Sequence, residues 1–153
     1  MTELDKIDRK ILQILQREAR IPITELAQRV GLSATPVSER VRRMEREKVI
    51  SGYHARVNPE ALGLRVLVFV ELRLAQKSSE IFDSIRKGLA HVPEVLECHL
   101  VAGEFDYLIK ARIPDMRDYR DLLGRILLKL PNAVESRSYV VMEEIKETLQ
   151  LSL

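Results

Sequence analysis

The sequence predicts an α+β fold in two parts: an all-helical N-terminal domain over residues 1–60 and a β-α-β-β-α-β C-terminal domain over residues 61–153. Three observations carry this prediction. Apolar residues recur at helical spacing through the first fifty positions. After Gly63 the apolar period falls to two, the spacing of a strand with one buried face. The later segments then alternate between strand and amphipathic-helix patterns in a fixed order. At 153 residues, 46% hydrophobic and 31% charged, the composition suits a folded chain of two small domains.

The helices come first. In "LDKIDRKILQILQREAR", Leu4, Ile7, Ile11, Leu12, Ile14 and Leu15 share a helical face, with Asp5 or Asp8 near the positive N-terminal end. Pro22 closes that segment and is tolerated in the first turn of the next. The second helix is expected over Ile23–Val30, with Leu26, Ala27 and Val30 on one face and Gly31 placed to stop it. Ser33 or Thr35 can cap a third helix, which carries Pro36 in its first turn and should run to about Glu47. Gly52 then marks a turn, and Tyr53–Val57 is expected as a short strand, serving as a wing or linker.

In the C-terminal part, Val66, Val68, Val70, Leu72 and Leu74 make one apolar face of a strand. "SSEIFDSIRKGLAHV" is amphipathic, with Ser78 or Ser79 as its cap. "EVLECHLVAGEFDYLIKARI" reads as two strands joined at Ala102-Gly103-Glu104, a hairpin signature. A second helix follows, with Asp115 at its start and Pro131 ending it, and "AVESRSYVVMEEI" is a last strand. This order is that of the ferredoxin-like unit, two helices covering one face of a four-stranded sheet. With Leu96, Cys98 and Leu100 turned to the helices, the opposite face carries Leu67, Phe69, Glu71, Arg73, Glu97, His99, Val101, Asp106, Leu108, Lys110 and Arg112. Apolar groups interleaved with charges on an uncovered face imply a partner, most simply a second copy of the chain.

Charge is informative once the chain is divided. Overall it is +2, but residues 1–60 hold 12 basic and 9 acidic groups while residues 61–153 hold 13 and 14. Arg40, Arg42, Arg43, Arg46 and Lys48 fall within nine residues. With Val37, Val41 and Met44 set inward at i, i+4, i+7, the third helix presents Thr35, Glu39, Arg42 and Arg46 outward, flanked by Ser33, Ser38 and Arg43. A groove reader needs that mixture: arginines for guanine edges or phosphates, and short hydroxyls with a carboxylate for local contacts. The short preceding helix and the Gly31 turn place this helix as in a helix-turn-helix. A plain solvated helix would also carry arginines, but the preceding "ELAQRVGLSATPV", with Ala27 for close helix contact and Gly31 at the turn, favours the groove reader. Arg40 lies beside the buried stripe and is expected in a structural ion pair, with Asp8 the candidate partner.

Other function classes find little support. No apolar run approaches the roughly 20 residues of a membrane helix; the longest, "VLVFV", is strand-sized. The charged start and the lone Cys98 suggest a cytoplasmic protein with no disulfide. Cys98 and His99 cannot form a dyad, because neighbours on a strand point to opposite faces. His54 and His91 have no partners at metal-ligand spacing, and no cofactor fingerprint occurs. Neither catalysis, a metal nor a cofactor is expected.

The segment "LDKIDRKILQILQREARIPITELAQRVGLSATPVSERVRRMEREKVISGY" resembles the N-terminal helix-turn-helix domain of the Lrp/AsnC (feast/famine) family of transcriptional regulators. "VLVFVEL", "ECHLVAGEFDYLIKARIPDM" and "YVVMEEIKE" are similar to that family's C-terminal amino-acid-responsive domain. The resemblance implies a DNA-binding regulator forming dimers through the sheet faces, with dimers assembling into octamers or similar discs. It also implies a small effector, leucine or another amino acid, bound between C-terminal domains. Carried onto this chain, effector positions correspond to Leu100, Met116, Tyr139, Val140 and Val141, with Ala102, Gly103 and Glu104 near the ligand and Asp106 as acceptor for its ammonium. An architectural chromatin protein that binds duplex DNA without sensing anything is the alternative.

Overall fold

The computed structural model describes residues 3–130 and 132–153, so the expected helix end at Pro131 lies outside the described residues. The chain divides into two compact units: the segment up to Arg56 together with Lys146–Leu153, and Val57–Ile145.

In the first unit, α1 (Lys6–Leu15) begins at a reciprocal cap. The Asp5 carboxylate accepts the Asp8 N–H at 2.8 Å, while the Asp5 N–H donates to Asp8 at 3.2 Å. Two of the helix's orphan donors are thereby satisfied. Helix α2 (Ile23–Val30) ends at Gly31, whose φ of 76° is left-handed. The Gly31 N–H reaches the Gln28 carbonyl and the Leu32 N–H the Ala27 carbonyl, the paired bonds of a Schellman stop. Helix α3 (Ala34–Arg46) has Ser33 at its N-cap position, with no side-chain capping bond. Ile11, Leu26, Val37 and Met44 are wholly buried where the three helices meet. The segment 146–153 packs with them: Gln16 Nε2 donates to the Leu151 carbonyl (3.1 Å) and Gln16 Oε1 accepts the Leu151 N–H (2.6 Å). Gln16, at the C-cap of α1, thus satisfies part of this segment's extended backbone. Tyr53–Val57 is not a strand: among the described residues no strand forms a ladder with it, and an extended segment without a ladder is only extended.

In the second unit, β1 (Val66–Leu74), α4 (Ser79–Leu89), β2 (Val95–Leu100), β3 (Tyr107–Ile113), α5 (Tyr119–Leu128) and β4 (Ala133–Val140) form the expected order. The sheet is antiparallel, with strand order β2-β3-β1-β4. Val68 opposite Ala111, Val70 opposite Ile109 and Leu72 opposite Tyr107 form the central rows. These pack with Ile85 and Leu89 of α4 and with Leu122 and Ile126 of α5. Ser78 caps α4 by accepting the Ile81 N–H.

Two sheet expectations need correction. Cys98 and Leu100 do pair with the helix-facing Ile109 and Tyr107, but β2 is an edge strand and α4 does not close over it. Leu96 sits in the register shift between Val95 and Glu97 and is 52% exposed. A groove lined in part by Phe82, Leu89, Leu96, Cys98 and Leu100 separates helix from strand. On the opposite face, one end is not open. Leu67 is 5% exposed, and its cross-strand neighbour Arg112 is clasped by both Glu144 oxygens (2.5 and 2.6 Å). The segment following β4 supplies that clasp.

Candidate nucleic-acid interface and effector surface

Helix α3 divides its residues by helical phase. Val37, Val41 and Met44 are buried, and Thr35, Glu39, Arg42 and Arg46 are exposed. Ser33 is exposed at the N-terminal end, Ser38 is half-buried, and among the described residues neither Arg42 nor Arg46 has an ion-pair partner. The phase follows from the sequence, since apolar groups at i, i+4 and i+7 form one buried stripe and set Arg42 and Arg46 opposite it.

Two arginines behave differently. Arg40 Nη1 lies 2.8 Å from Asp8 Oδ1 and 2.6 Å from Asp5 Oδ2, and Arg43 Nη2 lies 2.5 Å from Asp8 Oδ2. Asp8 is 1% exposed, so both of its oxygens are committed inside the helical unit. The Arg40–Asp8 pair matches the expectation for Arg40. The grip on Arg43 was not foreseen, because a helical wheel places Arg43 on the flank without showing that Asp8 reaches it. Hydrogen bonds from the Asp8 N–H and then from Arg40 hold the Asp5 carboxyl below its usual range. Asp8, then Asp5, raises the Arg40 guanidinium.

The positions expected to meet an effector are spread over the C-terminal unit. The hairpin between β2 and β3 exposes Ala102, Gly103 and Glu104. A β-carbon at Gly103 would meet nothing within 4 Å, so the space around it is open within this chain. Leu100 is exposed at one end of the turn. Asp106, at the other end, is not available as an ammonium acceptor. Its Oδ2 accepts the Leu74 N–H at 2.8 Å, its Oδ1 takes the Lys77 ammonium at 2.6 Å, and its own N–H donates to the Leu72 carbonyl. The carboxylate is buried, and it ties the hairpin to the end of β1. Burial alone would push its pKa up; Lys77 and the Leu74 N–H outweigh that and hold it below the ordinary value.

Beside the hairpin, on the face away from the helices, lies a cleft of about 370 Å³ lined by Glu71, Arg73, Glu104, Phe105, Glu135 and Arg137. Arg73 and Arg137 both pair with Glu135, and the Tyr139 hydroxyl donates to Glu71 at 3.1 Å. The Glu71 carboxylate and then burial raise the Tyr139 phenol. Glu135 and Arg137 were missed as site residues, although their alternation in "ESR" on a strand was the available signal. Val140 pairs with Val68, and Leu100 pairs with Tyr107, which pairs in turn with Leu72. The two therefore lie about 13 Å apart along the strands. Met116 follows β3 at the end away from the hairpin and is also exposed. One chain does not gather these residues into a single pocket.

The Cys98 thiol is raised by burial, and His99 on the other face bonds Glu97 at 3.1 Å, so the two do not meet. No group of three or more His, Cys, Asp or Glu able to hold a metal occurs among the described residues. Among them, no helix is long and apolar enough to cross a membrane.

Comparison with known proteins also divides the chain into a helical and a ligand-binding part. Residues 4–45 match the AsnC-type helix-turn-helix domain, and residues 67–151 match the Lrp/AsnC ligand binding domain. The chain is 50% identical to the leucine-responsive regulatory protein of Klebsiella pneumoniae over 97% of its own length and 91% of that relative's. A transcriptional regulator of Neisseria meningitidis, solved in complex with L-methionine, superposes with a TM-score of 0.90 at 33% identity, covering 98% of this chain and 97% of that one. A feast or famine regulatory protein of M. tuberculosis, complexed with L-methionine, gives 0.88 at 36%, covering 97% and 99%. The helical head, the four-stranded sheet and these likenesses lead to one assignment: the chain belongs to the Lrp/AsnC family of transcriptional regulators.

Proposed function

We propose that this regulator reads duplex DNA in a sequence-specific manner with α3, and that a small amino acid bound between C-terminal units of separate copies changes its assembly or its DNA affinity. One observation carries the DNA reading: a buried Val37-Val41-Met44 stripe turns Thr35, Glu39, Arg42 and Arg46 outward, with neither arginine in an ion pair among the described residues. Arg42 and Arg46 suit guanine edges or phosphates, and Ser33, Thr35, Ser38 and Glu39 suit the shorter contacts around them. Arg43 has part of its guanidinium engaged by Asp8 and contributes less than its position suggests. Replacing Arg42 by alanine should weaken binding to a preferred duplex by about 1–3 kcal/mol, measured by fluorescence anisotropy; unchanged affinity would remove it from the interface.

The dispersion of Leu100, Ala102, Gly103, Glu104, Met116, Tyr139, Val140 and Val141 over one unit supports a site completed by a second copy. The open backbone around Gly103 suits a carboxylate, and exposed Glu104, at the rim of the charged cleft, replaces Asp106 as the acceptor for an ammonium group. Leu100, Met116 and the two valines are apolar enough for a leucine or methionine side chain. Relatives named for leucine and solved with L-methionine favour that class. Copies associate through the sheet face bearing Phe69 and Leu108, with dimers as the building block of a larger ring, in the cytoplasm. Calorimetric titration with the twenty amino acids, alongside mass measurement, tests this half. A flat response to all of them would favour an architectural DNA-binding role instead.

A further inference from the structure

We propose that Asp8 is a positioning residue for DNA specificity: by holding Arg40 and Arg43 it withdraws two guanidiniums from general phosphate binding and leaves α3 to meet DNA through Arg42 and Arg46. The inference rests on the reading of α3 as the DNA-binding helix. Of the five cations between residues 40 and 48, Arg40 and Arg43 share the Asp8 carboxylate, and Arg40 also takes Asp5. Two arginines against two aspartates leave no net charge in this cluster.

The grip is firm for a physical reason. Asp8 is 1% exposed, and a carboxylate that far from water is not left unpaired without a large penalty. The two guanidiniums cannot both swing out to passing phosphates unless Asp8 is abandoned. On Arg43 the Nε atom is itself buried with no hydrogen-bond partner, so only the outer edge of that side chain remains presentable. Asp8 is in turn fixed by the reciprocal cap with Asp5, which ties its carboxylate to the first turn of α1. Charge available to any phosphate strengthens binding to all sequences alike, whereas base-edge contacts discriminate. Withdrawing two charges therefore lowers the non-specific background and leaves the readers in place.

The test uses the full chain with a random-sequence duplex and a duplex selected by the wild-type protein from a random pool. Affinities are measured across a salt series for wild type, Asp8→Asn, Arg43→Gln and the double variant, with circular dichroism to verify folding. Each cation newly applied to phosphate steepens the slope of log K against log salt by about 0.9. Asp8→Asn should steepen the non-specific slope by about 1 to 2 and lower the ratio of specific to non-specific affinity severalfold. Arg43→Gln alone should leave the slope within about 0.3 of wild type, and the double variant should return toward it. An unchanged slope in folded Asp8→Asn, or a loss of about 0.9 in Arg43→Gln, would overturn the proposal. Should Asp8→Asn fail to fold, the Arg43→Gln arm decides alone. Failure of the wild-type protein to bind either duplex would instead overturn the reading of α3 itself, and this inference with it.

Discussion

Gly31 and Asp106 are two residues whose roles differ in kind. At Gly31 a β-carbon would meet nothing within 4 Å, so replacing it by alanine adds no clash and isolates the backbone term. Because its φ is 76°, Gly31→Ala should cost about 1–2 kcal/mol in a denaturant titration, and the loss should appear as a lower midpoint with an unchanged slope. Asp106 acts through polar satisfaction. Removing its carboxylate leaves the buried Leu74 N–H unmatched, a penalty of about 1–3 kcal/mol. Its folded pKa is depressed, so its contribution to stability is present above the ordinary carboxylate value near 3.8 and is lost as pH falls through the lower folded value. Thermal unfolding of wild type and Asp106→Asn followed from neutral pH into acid should converge as Asp106 protonates; a constant gap down to the lowest pH would contradict this. The role of Gly31 was legible in the sequence, because a glycine at the end of a periodic helix has one dominant explanation. That of Asp106 was not, because its partners on and just beyond β1 are more than twenty-five positions away.

At the scale of elements, periodicity was a sufficient guide wherever a segment buried its own apolar face. The three head helices, the two sheet-covering helices and the central strands β1 and β3 meet that condition. It failed at Tyr53–Val57 and beyond Val140, where the strand expected to run on through "VMEEI" stops, because the backbone's partners decide the structure there and the side-chain pattern does not. It also failed to tell a central strand from an edge one, so β2 was expected to be covered as well as β1. The 146–153 segment offers a direct check. Gln16→Ala removes both side-chain bonds to Leu151, and amide exchange at Leu151 should accelerate while that of α2 stays unchanged. Equal protection in both proteins would show that other contacts hold the segment.

At the scale of the whole molecule, the helical head and the sheet domain were legible in outline, and the effector site was not. The residues proposed for it are dispersed over one unit, and no pattern within one sequence reports which surfaces of two copies come together. If copies associate through the face bearing Phe69 and Leu108, Leu108→Glu should reduce the mass measured by light scattering to a smaller species while leaving the circular dichroism of the fold intact. An unchanged mass would move the interface elsewhere.

The role proposed for the outward face of α3 is to read base sequence. It is tested most directly by measuring wild type and Arg42→Ala on the preferred duplex and on a set of single-base-pair variants of it. Arg42→Ala should lose about 5- to 150-fold on the preferred duplex and stop discriminating at one base pair while keeping its preferences elsewhere. Equal affinity and an unaltered preference at every position would contradict it.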